Sequence, residues 1–203
     1  MALVLCRLRK TLFLSKSKVE EMCCALLEHF QLKDYEYSVT LTTDRYIRLL
    51  NSQFRGIHGA TDVLSFPTGL FQRGQLQPYS SIIRKELPML HNDSVDHSFE
   101  ELLVPQVKFR DMGDIVISIP YVKRVAEKQG VLPTYQFASV LVHGFCHLLG
   151  YDHEEALDRA AMNQVERNSL DTLATLLECR SQDLTPLTSQ WSPRSYNSSQ
   201  CAN

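Results

Sequence analysis

"HGFCHLLGYDH", residues 143 to 153, packs three of the chain's 7 histidines into one short stretch. Upstream, Phe137, Val140, Leu141, Phe145 and Leu148 recur at helical spacing, so the stretch is predicted to close an amphipathic helix with a buried stripe. Thr134, after Pro133, is placed to cap the start of that helix. His143 and His147, four residues apart, then leave one flank of it together. Gly150 can end the helix and turn the chain, which brings His153 back as a third imidazole. Three neutral histidine nitrogens suit Zn²⁺ and leave its fourth position open, the layout of a catalytic zinc site and not of a structural one. A histidine pair at this spacing is by itself more often packing or surface. The helix-breaking glycine and the third histidine move the balance to one zinc ion held by His143, His147 and His153. Asp152 could ligate the metal or orient a ligand, with capping of the following helix an equal alternative. Cys146 points about 100° away from His147 and reads as a small buried hydrophobe.

Gly144 stands where an H-E-x-x-H peptidase carries the glutamate that moves its protons. A residue without a side chain disfavours peptide hydrolysis, and it is expected to leave room beside the metal for a bulkier, more anionic substrate. A phosphodiester meets that expectation, since Zn²⁺ can act as a Lewis acid on a phosphate oxygen.

Outward from this stretch the chain alternates strand and helix signals. "LVLCRLRKTLFL" reads as a basic edge strand, with Cys6 and Leu8 facing one way and Arg7 and Arg9 the other. Val19, Met22, Cys23, Leu26 and Phe30 then fall at helical spacing, and "YSVTLTT" (Tyr37 to Thr43) alternates as a strand does, giving a β–α–β order. Asp44 is predicted to cap a helix with Ile47, Leu50 and Phe54 on its apolar face. "RGIHGATD" is a turn-rich connection into the short strand "VLSF", closed by Pro67. "GDIVISI" (Gly113 to Ile119) suits a strand covered on both faces, and Pro120 opens a helix that Gly130 stops. A last long helix is expected from Glu154 to about Glu178, packing through Leu157, Ala160, Ala161, Val165, Leu173 and Leu176. Residues 68–110 have poor periodicity and are expected to be a flexible insertion within a domain spanning 1–179. Residues 180–203, polar and Ser-rich, are expected to be a disordered tail.

At 203 residues and 44% hydrophobic the chain suits one compact domain. It holds no run of about 18 apolar residues, so no membrane span is expected. Its six cysteines show no regular spacing and no CxxC pair, as free thiols of a reducing compartment would. A net charge of -2 argues against a generic nucleic-acid binder, but residues 1–60 carry +3 and the remainder -5. A polyanion is therefore expected at the N-terminal half. The first acidic residue is Glu20, after Arg7, Arg9, Lys10, Lys16 and Lys18, a pattern shared by mitochondrial presequences and by a basic edge strand of the mature fold. The strand reading is preferred, with the segment able to serve as an uncleaved address.

"RGIHGATDVLSFP", "MGDIVIS" and "HGFCHLLGYDH", in that order, resemble the YbeY-type endoribonucleases, metal-dependent ribosomal RNA maturation factors of bacteria and organelles. The resemblance covers about residues 3–175. It implies a single α+β domain, a small mixed β-sheet packed by helices, with the three-histidine metal site on a helix and the turn after it. It implies single-strand-specific, zinc-dependent RNA cleavage in small-subunit ribosome maturation, with ribosomal RNA and small-subunit proteins as partners. The arginine implicated in cleavage falls on Arg55, and His143 joins it as a catalytic candidate. Phe54 replaces the usual tyrosine and "IHGA" a usually more charged turn, which leaves His58 open between acid/base work and a turn role. Animal and plant relatives work in organelles, so the resemblance implies mitochondria, with cytoplasm or nucleus as the alternative.

Arg55 also makes sense from its chemistry: a guanidinium grips phosphate with two hydrogen bonds and matches the charge of a pentacovalent transition state. A surface arginine in a loop is the plain alternative. Thr61, Asp62 and Ser65 read as turn and strand determinants. Two rival functions stand beside the nuclease: a zinc hydrolase of another substrate class, which Gly144 disfavours for peptides, and a ribosome-assembly binding factor with structural zinc.

Overall fold

The structure is a computed structural model that describes residues 2–6, 13–76 and 110–190. Strand β1 (Ala2–Cys6) leads to α1 (Lys16–His29), β2 (Glu36–Thr42), α2 (Asp44–Arg55) and β3 (Val63–Pro67). A two-residue-strand hairpin, β4 (Phe71–Gln72) and β5 (Gln75–Leu76), follows. Then come β6 (Asp111–Ser118), α3 (Ile119–Gln129), α4 (Pro133–Leu148), α5 (Ala156–Leu176) and α6 (Leu187–Gln190). The main sheet has four strands in the order β1-β2-β6-β3. β1 and β6 run parallel to β2, and β3 runs antiparallel to β6, which makes the sheet mixed. This is the expected α+β domain, and β1 is the expected edge strand.

Alternation along the strands sorts side chains to two faces. Val39, Leu41, Ile115 and Ile117 join α1, α4 and α5 in the main core. Leu64 and Val116 meet Ile47 of α2 on the other, thinner side. Both faces of β6 are thus covered, as its continuous apolar run requires. The stripes Val19, Met22, Cys23 and Leu26 on α1, and Phe137, Val140, Leu141, Phe145 and Leu148 on α4, are buried as expected.

Several expectations shift. Thr43, not Asp44, stands at the α2 N-cap; the Asp44 carboxylate instead accepts from Ser118 Oγ and Arg124 Nη1, each at 2.6 Å, tying α2 to the end of β6 and to α3. Those two hydrogen bonds hold its carboxyl below the ordinary value although burial acts the other way. Phe54 is 59% exposed and leans on Phe66, ring centroids 5.1 Å apart, because α2 lies on the thin side. Leu132, not Thr134, precedes α4, with Pro133 opening its first turn.

On α5 the buried face is Met162, Glu166, Ser169, Leu170, Leu173 and Ala174, while Leu157 is 83% exposed and Ala160 and Ala161 face outward. The first turn of α5 overhangs the core, and the helix is phased by a buried glutamate that hydrophobic periodicity cannot weigh. The tail expected to be disordered from residue 180 is ordered through 190. A short 3₁₀ turn (Ser181–Asp183) and α6 dock through Leu184 and Leu187, two leucines that join the main core. Likewise residues 68–76 of the expected flexible insertion form the β4–β5 hairpin, whose turn residues Arg73 and Gly74 both take positive φ, a geometry matched to strand twist. Leu70 and Phe71 are buried. The expectations for residues 7–12, 77–109 and 191–203 lie outside the described residues. No helix among the described residues is long and apolar enough to cross a membrane, and Cys23, Cys24, Cys146 and Cys179 are free thiols.

Candidate metal centre

The last turns of α4 carry His143 and His147. Gly150, at φ 77°, then reverses the chain while its neighbours satisfy the helix end: the amide of Gly150 donates to His147 O and that of Tyr151 to Cys146 O, both at 3.0 Å. The β4–β5 hairpin seals this turn. Arg73 N and Gly74 N donate to the carbonyls of Gly150 and Leu149, at 3.2 and 2.7 Å. A Cβ at 150 would stand 2.5 Å from Phe71 O, so the position needs glycine for space as well as for φ. Past the turn, the Asp152 carboxylate accepts the amide of His153 at 2.7 Å and Arg159 Nε donates to His153 O at 3.3 Å. Asp152 therefore shapes the loop, and Glu155, not Asp152, stands at the N-cap of α5.

Thus His143, His147 and His153 converge, with ligand atoms all within 4.8 Å of one another. The Nε2 atoms of His143 and His147 are 3.2 Å apart, close to the roughly 3.3 Å that two nitrogens subtend on a tetrahedral zinc. Their other nitrogens are engaged. His147 Nδ1 lies 3.0 Å from Tyr151 O, and because a carbonyl only accepts, that nitrogen carries the proton. His143 Nδ1 lies 2.7 Å from Glu166 Oε1, and a carboxylate fixes the same tautomer. Each Nε2 is left with its lone pair toward the other, an arrangement that a shared cation relieves. Burial, followed by the proximity of His143 and His153, pushes His147 down to about 3. Burial and then His143 lower His153 as well. Both are held neutral, the form that binds metal. The donor set and its geometry fit a metal ion.

Glu166 is the site residue that sequence reasoning passed over. It is wholly buried on α5, 23 residues from His143 in sequence. A signal existed: it sits four residues after Met162 and four before Leu170, so a charged side chain occupies the apolar stripe, where charges stay only with partners.

Gly144 differs from its expectation. A Cβ there would stand 2.9 Å from Ile115 Cγ2 and 3.2 Å from both Val63 Cγ2 and Ser65 Oγ. The position faces the sheet, and the space beside it is filled by strand residues and not left for substrate. No glutamate fits, so the inference that peptidase chemistry lacks its proton carrier stands on packing. Ser65 Oγ donates to Gly144 O at 3.1 Å, which pins α4 to β3.

Arg55 is exposed at the last turn of α2, before the left-handed Gly56 cap, and among the described residues it has no ion-pair or hydrogen-bond partner. Its neighbour Phe54 packs on Phe66, and the next residue back along β3, Ser65, bonds Gly144. Helix α2, which ends in Arg55, and the histidine helix α4 therefore lie against opposite faces of the edge strand β3. His58 is exposed, with Nδ1 2.8 Å from Ser52 Oγ, and Asn51 Nδ2 donates to Gly59 O at 2.9 Å. Both contacts fold the loop onto α2. Asp62 Oδ1 accepts from Thr61 Oγ1 and Val63 N, at 3.0 and 2.9 Å, as a turn determinant does.

An α+β domain that presents three converged imidazoles at a helix end, one backed by a buried carboxylate, has a site that could hold a metal ion. The chain belongs to the endoribonuclease YbeY family, whose model matches residues 9–174. It is 35% identical over 143 residues to "Endoribonuclease YbeY" of Persephonella marina, covering 70% of this chain and 72% of that one. It is 37% identical to the Ligilactobacillus salivarius protein of the same name, over 68% and 75% of the two chains, and 30% identical to the Alteromonas mediterranea protein over 80% of each. The solution structure of TM1509 from Thermotoga maritima shares the fold, with a TM-score of 0.54 over 97% of this chain and all of that one, at 20% identity.

Proposed function

We propose that the chain is a zinc-dependent endoribonuclease specific for single-stranded RNA, acting in ribosomal RNA processing and small-subunit maturation. The carrying observation is the convergence of three imidazoles with ligand atoms within 4.8 Å of one another, the Nε2 atoms of His143 and His147 facing each other and their Nδ1 protons already committed. Family membership and the relatives' shared name support RNA as the substrate. His143, His147 and His153 would hold the ion, which when bound supplies Lewis acidity at a phosphate oxygen.

The rest falls to the chain's own groups. His143 acts through its place in the ligand set. Arg55, exposed and always charged, grips a phosphate that crosses the edge of β3 and stabilises the charge that grows on it during cleavage. Gly144 leaves no acid to protonate a leaving amine, which favours a phosphodiester over a peptide. Ribosomal RNA and small-subunit proteins are the proposed partners and the mitochondrion the proposed compartment, supported by the basic stretch before Glu20.

The test is cleavage of a single-stranded small-subunit RNA precursor, a duplex RNA of the same sequence and a peptide, each with product ends mapped. Internal cuts confined to the single strand are expected. Peptide cleavage, or RNA binding without cuts under any metal loading, would favour one of the rival readings.

A further inference from the structure

We propose that the C-terminal segment Leu184–Gln190 is a working part of the metal centre, with Thr188 as the positioning residue that holds Glu166 and, through it, His143. This rests on the metal reading above and extends it past residue 174, where the family match ends.

The hydrogen bonds run in one direction. Asn163 Nδ2 donates to Thr188 Oγ1 at 2.8 Å, occupying an acceptor site on the hydroxyl. The single hydroxyl hydrogen is then free for Glu166 Oε2, 2.5 Å away, and Thr188 N donates to the same oxygen at 3.1 Å. With His143 Nδ1 on Oε1, the buried carboxylate accepts three hydrogen bonds. Two of the three come from one residue outside the family match. Thr188 is itself buried, and Leu184 and Leu187 anchor its segment in the core. A carboxylate with both oxygens engaged has one orientation, and its partner imidazole keeps one tautomer and one ring plane, so Nε2 stays aimed at His147. Without the Thr188 hydroxyl, Oε2 keeps only the 3.1 Å amide of residue 188, and the carboxylate can rotate away from His143. Outer partners of this kind set ligand geometry, and their loss typically lowers metal affinity.

The experiment uses full-length protein and Zn²⁺, with affinity read by competition against a chromogenic chelator and thermal unfolding read on metal-free samples. Thr188→Val keeps shape but removes the hydroxyl; zinc affinity should fall by roughly 10–100-fold, while Thr188→Ser restores it. A role confined to holding the tail would lower metal-free stability in Thr188→Val and leave zinc affinity at the wild-type value, which would overturn the proposal. If Thr188→Val fails to fold, Thr188→Ala decides: it removes the same hydroxyl and leaves the backbone amide and the leucine anchors in place. Reduced affinity supports the proposal and wild-type affinity overturns it. Wild-type protein that binds zinc no better than His147→Ala would sink the metal reading itself, a result distinct from either.

Discussion

Gly144→Ala is the smallest change that tests how the histidine helix is seated. The new methyl would stand 2.9 Å from Ile115 Cγ2 and 3.2 Å from Val63 Cγ2 and Ser65 Oγ, against about 3.5–4.0 Å for an optimal carbon contact. Two effects oppose each other. Alanine is favoured over glycine inside a helix by about 1 kcal/mol, and overpacking a dense core costs about 1–3 kcal/mol. The neighbours decide which wins. Ile115 and Val63 are β-branched strand residues with restricted χ1, and Ser65 is held by its hydrogen bond to Gly144's own carbonyl. None can retreat cheaply, so α4 must lift from the sheet. With overpacking near the top of its range, a net loss of about 2 kcal/mol is expected, or roughly 4–8 °C in Tm for a domain of this size. Thermal unfolding of metal-free protein measures it, and zinc affinity should fall too as His143 moves with the helix. An alanine variant as stable as wild type would refute the packing argument and return Gly144 to the substrate side.

Arg55→Ala should slow RNA cleavage by roughly 10²–10³, the loss seen on removing a transition-state donor, with zinc content and Tm unchanged and Arg55→Lys recovering part of the rate; normal cleavage would remove Arg55 from the site. RNA affinity should fall steeply with salt and weaken in an Arg7→Glu, Lys10→Glu variant, since phosphate contacts from the basic N-terminal half carry binding; affinity flat from low to physiological salt would contradict this. Metal-free protein should lose stability as pH falls below about 6.5, because unfolded imidazoles take up protons there, whereas folded His147 refuses them until about 3. The unfolded state binds more protons throughout that window, so unfolding free energy measured from pH 7 to 4 must decline, and a flat profile would show that the histidine cluster is not buried as described.

The histidine stretch was legible because its signals are local: a four-residue spacing, a helix break and a short return are enough to say that the three rings meet. The apolar stripes of α1 and α4 and the buried strand β6 were legible for the same reason. What stayed hidden depends on partners far along the chain. Glu166 was passed over because its three donors lie at 143 and 188, and missing it also misplaced the buried face of α5, with Leu157 expected to pack and exposed in the fold. The tail read as disordered because composition averages over two leucines, Leu184 and Leu187, that are enough to dock it. Gly144 raised the right question, but its answer lies in Ile115 and Val63, strand residues that spacing cannot place against it. Arg55 was singled out by resemblance and by guanidinium chemistry; the Phe54 to Phe66 contact that holds its helix against β3 lies too far along the chain to be read from spacing.

The central claim is that RNA cleavage depends on an ion held by His143, His147 and His153. The most direct test strips the protein with a chelator and returns Zn²⁺ stepwise, reading internal cleavage of a single-stranded ribosomal RNA fragment at each step. Cleavage should vanish on stripping, return with zinc, level off at about one ion per chain, and stay absent in the His143→Ala, His147→Ala double variant at every zinc level. Cleavage that survives stripping, or that the double variant retains, would contradict it.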